Sequence, residues 1–437
     1  MEKVEVISKE LIKPSSPTPP HLRSFKLSLL DQLSPPIYIP KIFFYTGKDG
    51  DNLQQSYQVA KKLKASLSKT LAIFYPLAGR IKDDDTVGDT IDCNDEGAEI
   101  LDARVKIQLF EFLKKPHAEV LDQLVPGDIL FTRSGAEDVP LAIQVNSFEC
   151  GGVAIGVLLS HKIVDAAAMV EFISKWAATA RGTNEEAMDV TLVSASLFPP
   201  RSSVLRHMLP ISETVVMRRL VLDANAIAAL RARATGHPTL RPHPPTRVEV
   251  VSALISRCFM KARNDKGPTT VSVPTHAVNL RGRMVLPVQH SCFGNLWAVT
   301  VTKGVAISES YGDMQGCLEN ELRESISAID SDFIEELKGP DGAIKAHEGM
   351  KNMAENYLDR DIQVCTFTSW CRFPFYEVDF GWGKPTWVSC CTVPINNVAI
   401  FIDRRCDDGM EAWVNMEADD MARFEQDQEL LSFVSIP

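Results

Sequence analysis

"GGVAIGVLLSHKIVDAAAMVEFISKWA", residues 151–177, is the stretch on which the reading of this chain turns. Its apolar run, "VAIGVLLS", reads as a strand, and "AAAMVEFISKWAATA" has the composition of a helix, with Phe172 and Trp176 four residues apart on one face. His161 and Asp165 stand at the junction. One reading is chemical: His161 takes a proton and Asp165 holds something in place. The plainer reading is a strand end and a helix start with two polar residues between them. Nine histidines and 30 aspartates in 437 residues give about 0.6 chance matches to His-x-x-x-Asp, so the spacing alone decides nothing. Its setting adds weight, because an apolar strand ending in a polar residue beside glycines is a common way to present a side chain into a cleft. A metal at His161 and Asp165 would need further ligands, and none stands in register.

The rest of the chain bounds the answer. A length of 437 residues suggests two or three domains. Hydrophobic residues at 45% and charged residues at 24% fit a globular protein with large cores. A formal net charge of -11 lacks the basic field of a nucleic-acid binder. The longest apolar runs fall far short of the roughly 20 residues of a membrane span. The N-terminus "MEKVEVISKELIKPSSPTPP" has no apolar signal region, which points to the cytoplasm. Ten scattered cysteines without a Cys-x-x-Cys pair point to reduced thiols rather than a structural zinc site.

Along the chain, strands and helices mix in both halves. "VEVISKELIKP" alternates as a strand, "NLQQSYQVAKKLKASLSKTLAIF" repeats as an amphipathic helix, and "TIDCNDEGAEILDARV" reads as two strands around a turn. Proline and polar residues gather from Phe198 to about Pro245, as in an inter-domain connection. Beyond it, "RVEVVSALISRCFMKAR" opens a second half as a helix, and five strand-like segments follow. The class is therefore α/β or α+β, in two domains of similar size.

Two further segments could carry chemistry. "YEVDFGWGKP", residues 376–385, contains Asp379-Phe380-Gly381, but no kinase phosphate loop, strand lysine or His-Arg-Asp loop accompanies it. A tight turn packed around glycines is the plainer reading. "HAVNLRGRM", residues 276–284, places Arg281 and Arg283 after a strand, as a solvated strand end or as partners for a phosphate or carboxylate. Neither a Gly-x-Ser-x-Gly elbow nor a dinucleotide or Walker loop occurs, which argues against serine hydrolases and against nicotinamide or ATP enzymes.

Taken together, these segments resemble the BAHD acyltransferase family of plant specialised metabolism. His-x-x-x-Asp at 161–165 and Asp-Phe-Gly-Trp-Gly at 379–383 stand in the family's order, and "LSLLDQL" (27–33), "SLSKTLAIFYPLAGRI" (66–81), "SLFPP" (196–200), "AVNLRGRM" (277–284), "FTSWCRFPFYEVDFGWGKP" (367–385) and "GMEAWV" (409–414) extend the likeness over the whole chain. One departure is Ala166, where many members carry glycine. The resemblance implies an α/β, two-domain fold like chloramphenicol acetyltransferase, with mixed sheets, flanking helices and a channel between domains. It implies an N-terminal domain at 1–197, a crossover linker at 198–218 and a C-terminal domain at 219–437, from which the segment near 365–388 is expected to return to the N-terminal sheet.

It further implies O-acylation of an alcohol by an acyl-CoA, with acetyl-CoA as co-substrate, no bound cofactor or metal, and a monomer. His161 would be the base, and Trp370 with Thr368 would steady the oxyanion. Asp165 would pair structurally with Arg281, and Asp379 would belong to an essential motif of architectural character. Asn279, Arg283 and Ser252 would contact CoA. The rival expectations are a catalytically silent binding protein and an acyl-CoA hydrolase.

Overall fold

The computed structural model describes residues 4–47, 53–82, 89–132, 137–183, 190–201, 212, 214–235, 244–263, 271–285, 292–306, 317–358 and 362–437. The chain divides into two compact units. The first comprises Met1–Arg206, Val288–Leu296 and Phe373–Thr392; the second comprises His207–Pro287, Trp297–Arg372 and Val393–Pro437. Most of the linker drawn at 198–218 lies outside the described residues. Residues 373–392 join the first unit, whereas 365–372 stay in the second. The return of 288–296 has no counterpart in the sequence reading.

In chain order the strands are β1 (Val4–Ile12), β2 (Ser24–Lys26), β3 (Tyr38–Tyr45), β4 (Arg80–Lys82), β5 (Thr90–Asp92), β6 (Ala98–Val105), β7 (Leu141–Phe148), β8 (Val153–Ser160), β9 (Val215–Leu222), β10 (Val271–Asn279), β11 (Trp297–Val301), β12 (Val305–Ala306), β13 (Ile362–Ser369), β14 (Trp387–Ser389), β15 (Val398–Asp403) and β16 (Met410–Glu417). The helices used below are α1 (Leu29–Leu33), α2 (Leu53–Leu71), α3 (Ala166–Arg181), α4 (Ala224–Thr235), α5 (Arg247–Arg263) and α6 (Cys317–Ser327).

The first unit holds a six-stranded sheet in the order β1-β6-β7-β8-β3-β14. Only its β6–β7 pair is parallel. β8 lies between β7 and β3 and all eight of its residues are buried. That explains the unbroken apolar run of "VAIGVLLS": a strand covered on both faces has no solvent side to fill with polar residues. Gly156 belongs to the same packing, since a Cβ there would meet the Leu124 carbonyl oxygen at 2.0 Å. The two strands read around the turn at residues 94–97 separate. β5 joins β2 and β4 in a small sheet, whereas β6 pairs with β1 and β7.

α3 leaves the end of β8 almost at once. Met169, Phe172, Ile173 and Trp176 recur at helical spacing and are all buried. They face α2, whose Leu63, Leu67 and Leu71 form a matching stripe. The Trp176 indole donates to the Leu63 carbonyl and to Ser66 Oγ at 3.2 and 3.0 Å, so the large ring is buried without a lost hydrogen bond. Gly182, at φ 74°, closes the helix in the left-handed conformation.

The second unit is built on a seven-stranded sheet in the order β11-β10-β13-β15-β16-β9, with β12 also on β10. β13 runs parallel to both β10 and β15. α5 covers one face with Val250, Val251, Leu254, Ile255, Cys258 and Phe259, packed with Phe367 of β13, Phe401 of β15 and the alternating Met410, Ala412, Val414 and Met416 of β16. α4 adds Ile227 and Leu230 to this core. No helix among the described residues is long and apolar enough to cross a membrane.

Candidate active site

His161 follows β8 directly and is fixed through its own backbone: its N–H donates to the Ile37 carbonyl at 2.8 Å. The next residue is anchored as firmly. Lys162 is buried, forms an ion pair with buried Asp89 at 3.0 Å and donates to the Gln32 carbonyl at 3.1 Å. Asp165 begins α3 as its N-cap. One carboxylate oxygen accepts from the Ala168 amide at 2.8 Å and the other from the Leu296 amide at 2.9 Å. Asp165 thus spends both oxygens on backbone, as a cap and as a tether for the loop 292–296.

That loop supplies one partner of the imidazole, beside backbone groups of His161 and Val164. Asn295 Oδ1 lies 3.1 Å from His161 Nδ1, and Asn295 Nδ2 donates to the His161 carbonyl at 2.7 Å and to Asp31 Oδ1 at 2.8 Å. Both groups facing Nδ2 are oxygens that only accept. The amide is therefore oriented by its surroundings, because a flip would set Oδ1 against two acceptors. With Oδ1 facing the ring, Nδ1 must carry the proton, and Nε2 carries the lone pair of the neutral imidazole. The ring keeps a partial opening to solvent, but protein surrounds most of it. Burial accordingly holds its pKa below the ordinary 6.5, with the Asp165 charge working partly against the shift.

Gly294, at φ 117°, makes this approach of the loop possible; a Cβ there would meet Ser194 Oγ at 2.6 Å. Phe293 secures the preceding position by donating its N–H to the Thr191 carbonyl at 3.0 Å and packing edge-on against Phe74.

The loop carrying Asp379 is organised for architecture. The carboxylate accepts from the Gly381 and Gly383 amides at 2.7 and 2.9 Å, and the Asp379 carbonyl accepts from Arg181 at the end of α3. Those amides and the Arg181 charge hold its pKa below the ordinary range, although partial burial opposes them as the largest single influence. Phe380 is buried edge-on against Trp176, and Lys62 of α2 donates to its carbonyl at 3.0 Å. The described hydrogen bonds of its carboxylate are with its own loop.

The remaining candidates belong to the second unit. Thr368 lies on β13 opposite Ala277 of β10 and Ile400 of β15. Trp370 follows it, buried, with its amide donating to the Phe401 carbonyl at 2.8 Å. Asn279 ends β10, and its Oδ1 accepts from the Arg281 amide at 3.1 Å. Arg281 is buried. Arg283 donates to the Ile326 and Ile329 carbonyls at 2.6 and 2.7 Å, at the end of α6. Ser252 is fully buried on α5, with its hydroxyl 2.9 Å from His276 Nε2, and burial pushes His276 down to about 3. Cys258, Asp427 and Glu429 offer ligand atoms within 4.8 Å of one another, but Lys261 already pairs with both carboxylates and Arg257 with Glu429.

A family model described as "Transferase family" matches residues 2–431. Stemmadenine O-acetyltransferase of Catharanthus roseus is 37% identical over 97% of this chain and 96% of its own length. Vinorine synthase of Rauvolfia serpentina is 39% identical over 99% of this chain and 98% of its own length. The crystal structure of vinorine synthase superposes with a TM-score of 0.82 at 38% identity, covering 99% of both chains. The chain belongs to the BAHD acyltransferase family. It is an acyl-CoA-dependent O-acyltransferase with the mixed-sheet fold of that family.

Two residues at the histidine escaped the sequence reading. Asp31 is signalled by the Ser28-x-x-Asp31 spacing of a capping box ahead of an apolar run. Asn295 has no such signal.

Proposed function

We propose that this protein transfers an acetyl group from acetyl-CoA to a hydroxyl of an alkaloid, terpenoid or similar plant alcohol, with His161 as general base. The observation that carries the reading is the Asn295 contact, which assigns the proton of the imidazole to Nδ1 and the lone pair to Nε2. A neutral imidazole is suited to accept a hydroxyl proton near pH 7, and the lowered pKa keeps it neutral there.

In the proposed step the acceptor O–H gives its proton to Nε2 as its oxygen bonds to the thioester carbon. The carbonyl oxygen becomes an oxyanion, for which the Trp370 indole N–H and Thr368 are the candidate donors. The carbonyl re-forms, the C–S bond breaks, and the CoA thiolate takes the proton back from Nε2. The paths need neither an acyl-enzyme nor a redox step. Asn279 and Arg283 are the candidate CoA contacts, and an Asp165–Arg281 ion pair is proposed as support for the histidine turn. The acceptor class rests on similarity to enzymes named for stemmadenine and limonoid O-acetylation. A cytoplasmic monomer is the simplest state for such an enzyme.

The test is a mass-spectrometric screen of acetyl-CoA and other short acyl-CoAs against a panel of hydroxylated alkaloids, terpenoids and small alcohols. Acetylated product with matching CoA release is expected. CoA release that is independent of every acceptor would indicate hydrolysis instead, and the absence of both would indicate a silent binding protein.

A further inference from the structure

The contact between Asn295 and His161 continues inward. Asp31 is fully buried on α1, and its two carboxylate oxygens face different ways. Oδ2 accepts from the Ser28 amide and hydroxyl at 2.8 and 2.7 Å, which closes the capping box of α1. Oδ1 accepts from the Asn295 amide N–H and from Asn295 Nδ2, both at 2.8 Å. A helix cap needs only the first oxygen. The second is spent on a residue 264 positions away, whose other side-chain atom faces the catalytic imidazole.

We propose that Asp31 is a positioning residue that helps set the tautomer of His161 through Asn295, an inference that rests on His161 being the base of the transfer. Four hydrogen-bond donors converge on the Asp31 carboxylate, so it is read as an acceptor at both oxygens. Together with the His161 carbonyl it therefore selects the NH2 end of Asn295. That choice leaves Oδ1 for the ring, Oδ1 requires a proton on Nδ1, and Nε2 is left to accept the hydroxyl proton. An Nε2–H ring cannot act as the base, however well it is placed. Asp31 touches no reacting atom and acts only through Asn295.

Ring-nitrogen NMR on protein labelled with 15N-histidine reads this directly and without any substrate. His161→Ala identifies the resonances. At a pH where the ring is neutral, the unsubstituted protein is expected to show His161 protonated at Nδ1 and bare at Nε2. Asp31→Asn is expected to move the ring toward a mixture containing Nε2–H. With acetyl-CoA and the best acceptor from the alcohol panel, kcat is expected to fall about 10- to 100-fold, in the range seen when other histidine-orienting partners are removed. KM for either substrate should move by less than about threefold, the mark of an effect on chemistry rather than on binding. Ser28→Ala is the structural control: it should lower Tm through the cap and leave the ring spectrum unchanged.

An Nε2–H ring in the unsubstituted protein overturns the proposal. So does an Asp31→Asn protein with an unchanged ring and unchanged kcat. Where Asp31→Asn does not fold, Asn295→Ala carries the test, and an unchanged ring and kcat in that variant overturn it equally. The ring reading stands or falls separately from the acyl-transfer reading, because it needs no turnover.

Discussion

The loops at 292–296 and 379–383 invite comparison. Both belong to the first unit, and each turns on a glycine at φ 117°, Gly294 in one and Gly383 in the other. The second carries the conspicuous Asp-Phe-Gly-Trp-Gly, and its aspartate folds back onto its own amides. The first carries nothing conspicuous, and its Asn295 holds the imidazole. Salience in a sequence and proximity to the chemistry are different properties. A loop that must hold one exact shape needs several special residues in a row, whereas one amide brought to a ring needs only a single asparagine and a tether.

Substitutions can sharpen or break that contrast. His161→Ala should have the largest effect: turnover is expected to fall by about 100- to 10,000-fold, the usual worth of a positioned base. Its circular dichroism spectrum should be unchanged. Near-full turnover by that folded variant would end the assignment.

Gly294→Ala comes next. It combines backbone strain of about 1–3 kcal/mol with a clash against Ser194. Thermal denaturation should show a lower Tm, and kcat should fall as Asn295 is displaced. Gly383→Ala has the same φ but no atom within 4 Å of the new Cβ. It should show the strain alone, with kcat close to that of the parent. Equal losses of kcat in the two alanine variants would erase the distinction between the loops.

Asp379→Ala should act mainly on stability. It removes two partly exposed hydrogen bonds to the carboxylate, at a cost of about 1–2 kcal/mol in urea denaturation. A loss of kcat as large as that of His161→Ala, at unchanged stability, would place Asp379 in the chemistry instead.

The smallest effect expected is in the pH profile. Because burial lowers the His161 pKa, the acid limb of kcat/KM should lie below pH 6.5, with activity lost as pH falls through the shifted value. Stability follows the same sign for this group. The unfolded chain binds the proton first on acidification, so the His161 contribution is present above pH 6.5 and is lost as pH falls toward the folded pKa. Burial raises Asp31 to about 6, which gives the opposite sign. Its contribution is present below the unfolded value of 3.8 and is lost as pH rises toward 6. Stability and activity measured from pH 4 to pH 8 should therefore not follow one another. An acid limb centred above pH 6.5 would contradict the burial of the ring.

Much of the fold was legible in the sequence because its signals are local. The apolar run of β8, the helical stripe of α3 and the alternation of β1 each follow from burial of nearby residues. Sheet membership was less legible. β5 and β6 lie only five residues apart, yet they enter different sheets, and partners for a strand are chosen by distant residues. At the site, His161 was visible because a strand and a helix frame it. Asn295 was not, because 134 positions separate it from the ring it touches. Ser252 was no more legible: it is buried on α5 against His276, and which face of that helix lies on the sheet is set by residues far along the chain.

The discontinuity of the first unit has a consequence for synthesis. β3 receives its neighbour β14 from residues 387–389, and His161 receives Asn295 from a segment past 288. At ribosomal rates, the chain between Arg206 and Thr392 takes roughly 10–40 s to emerge. Throughout that interval the nascent N-terminal half has an unpaired sheet edge and an imidazole without its amide. Premature termination in the second half therefore yields a half-finished scaffold prone to sticking, rather than a smaller working enzyme, and competence arrives only near the end of translation.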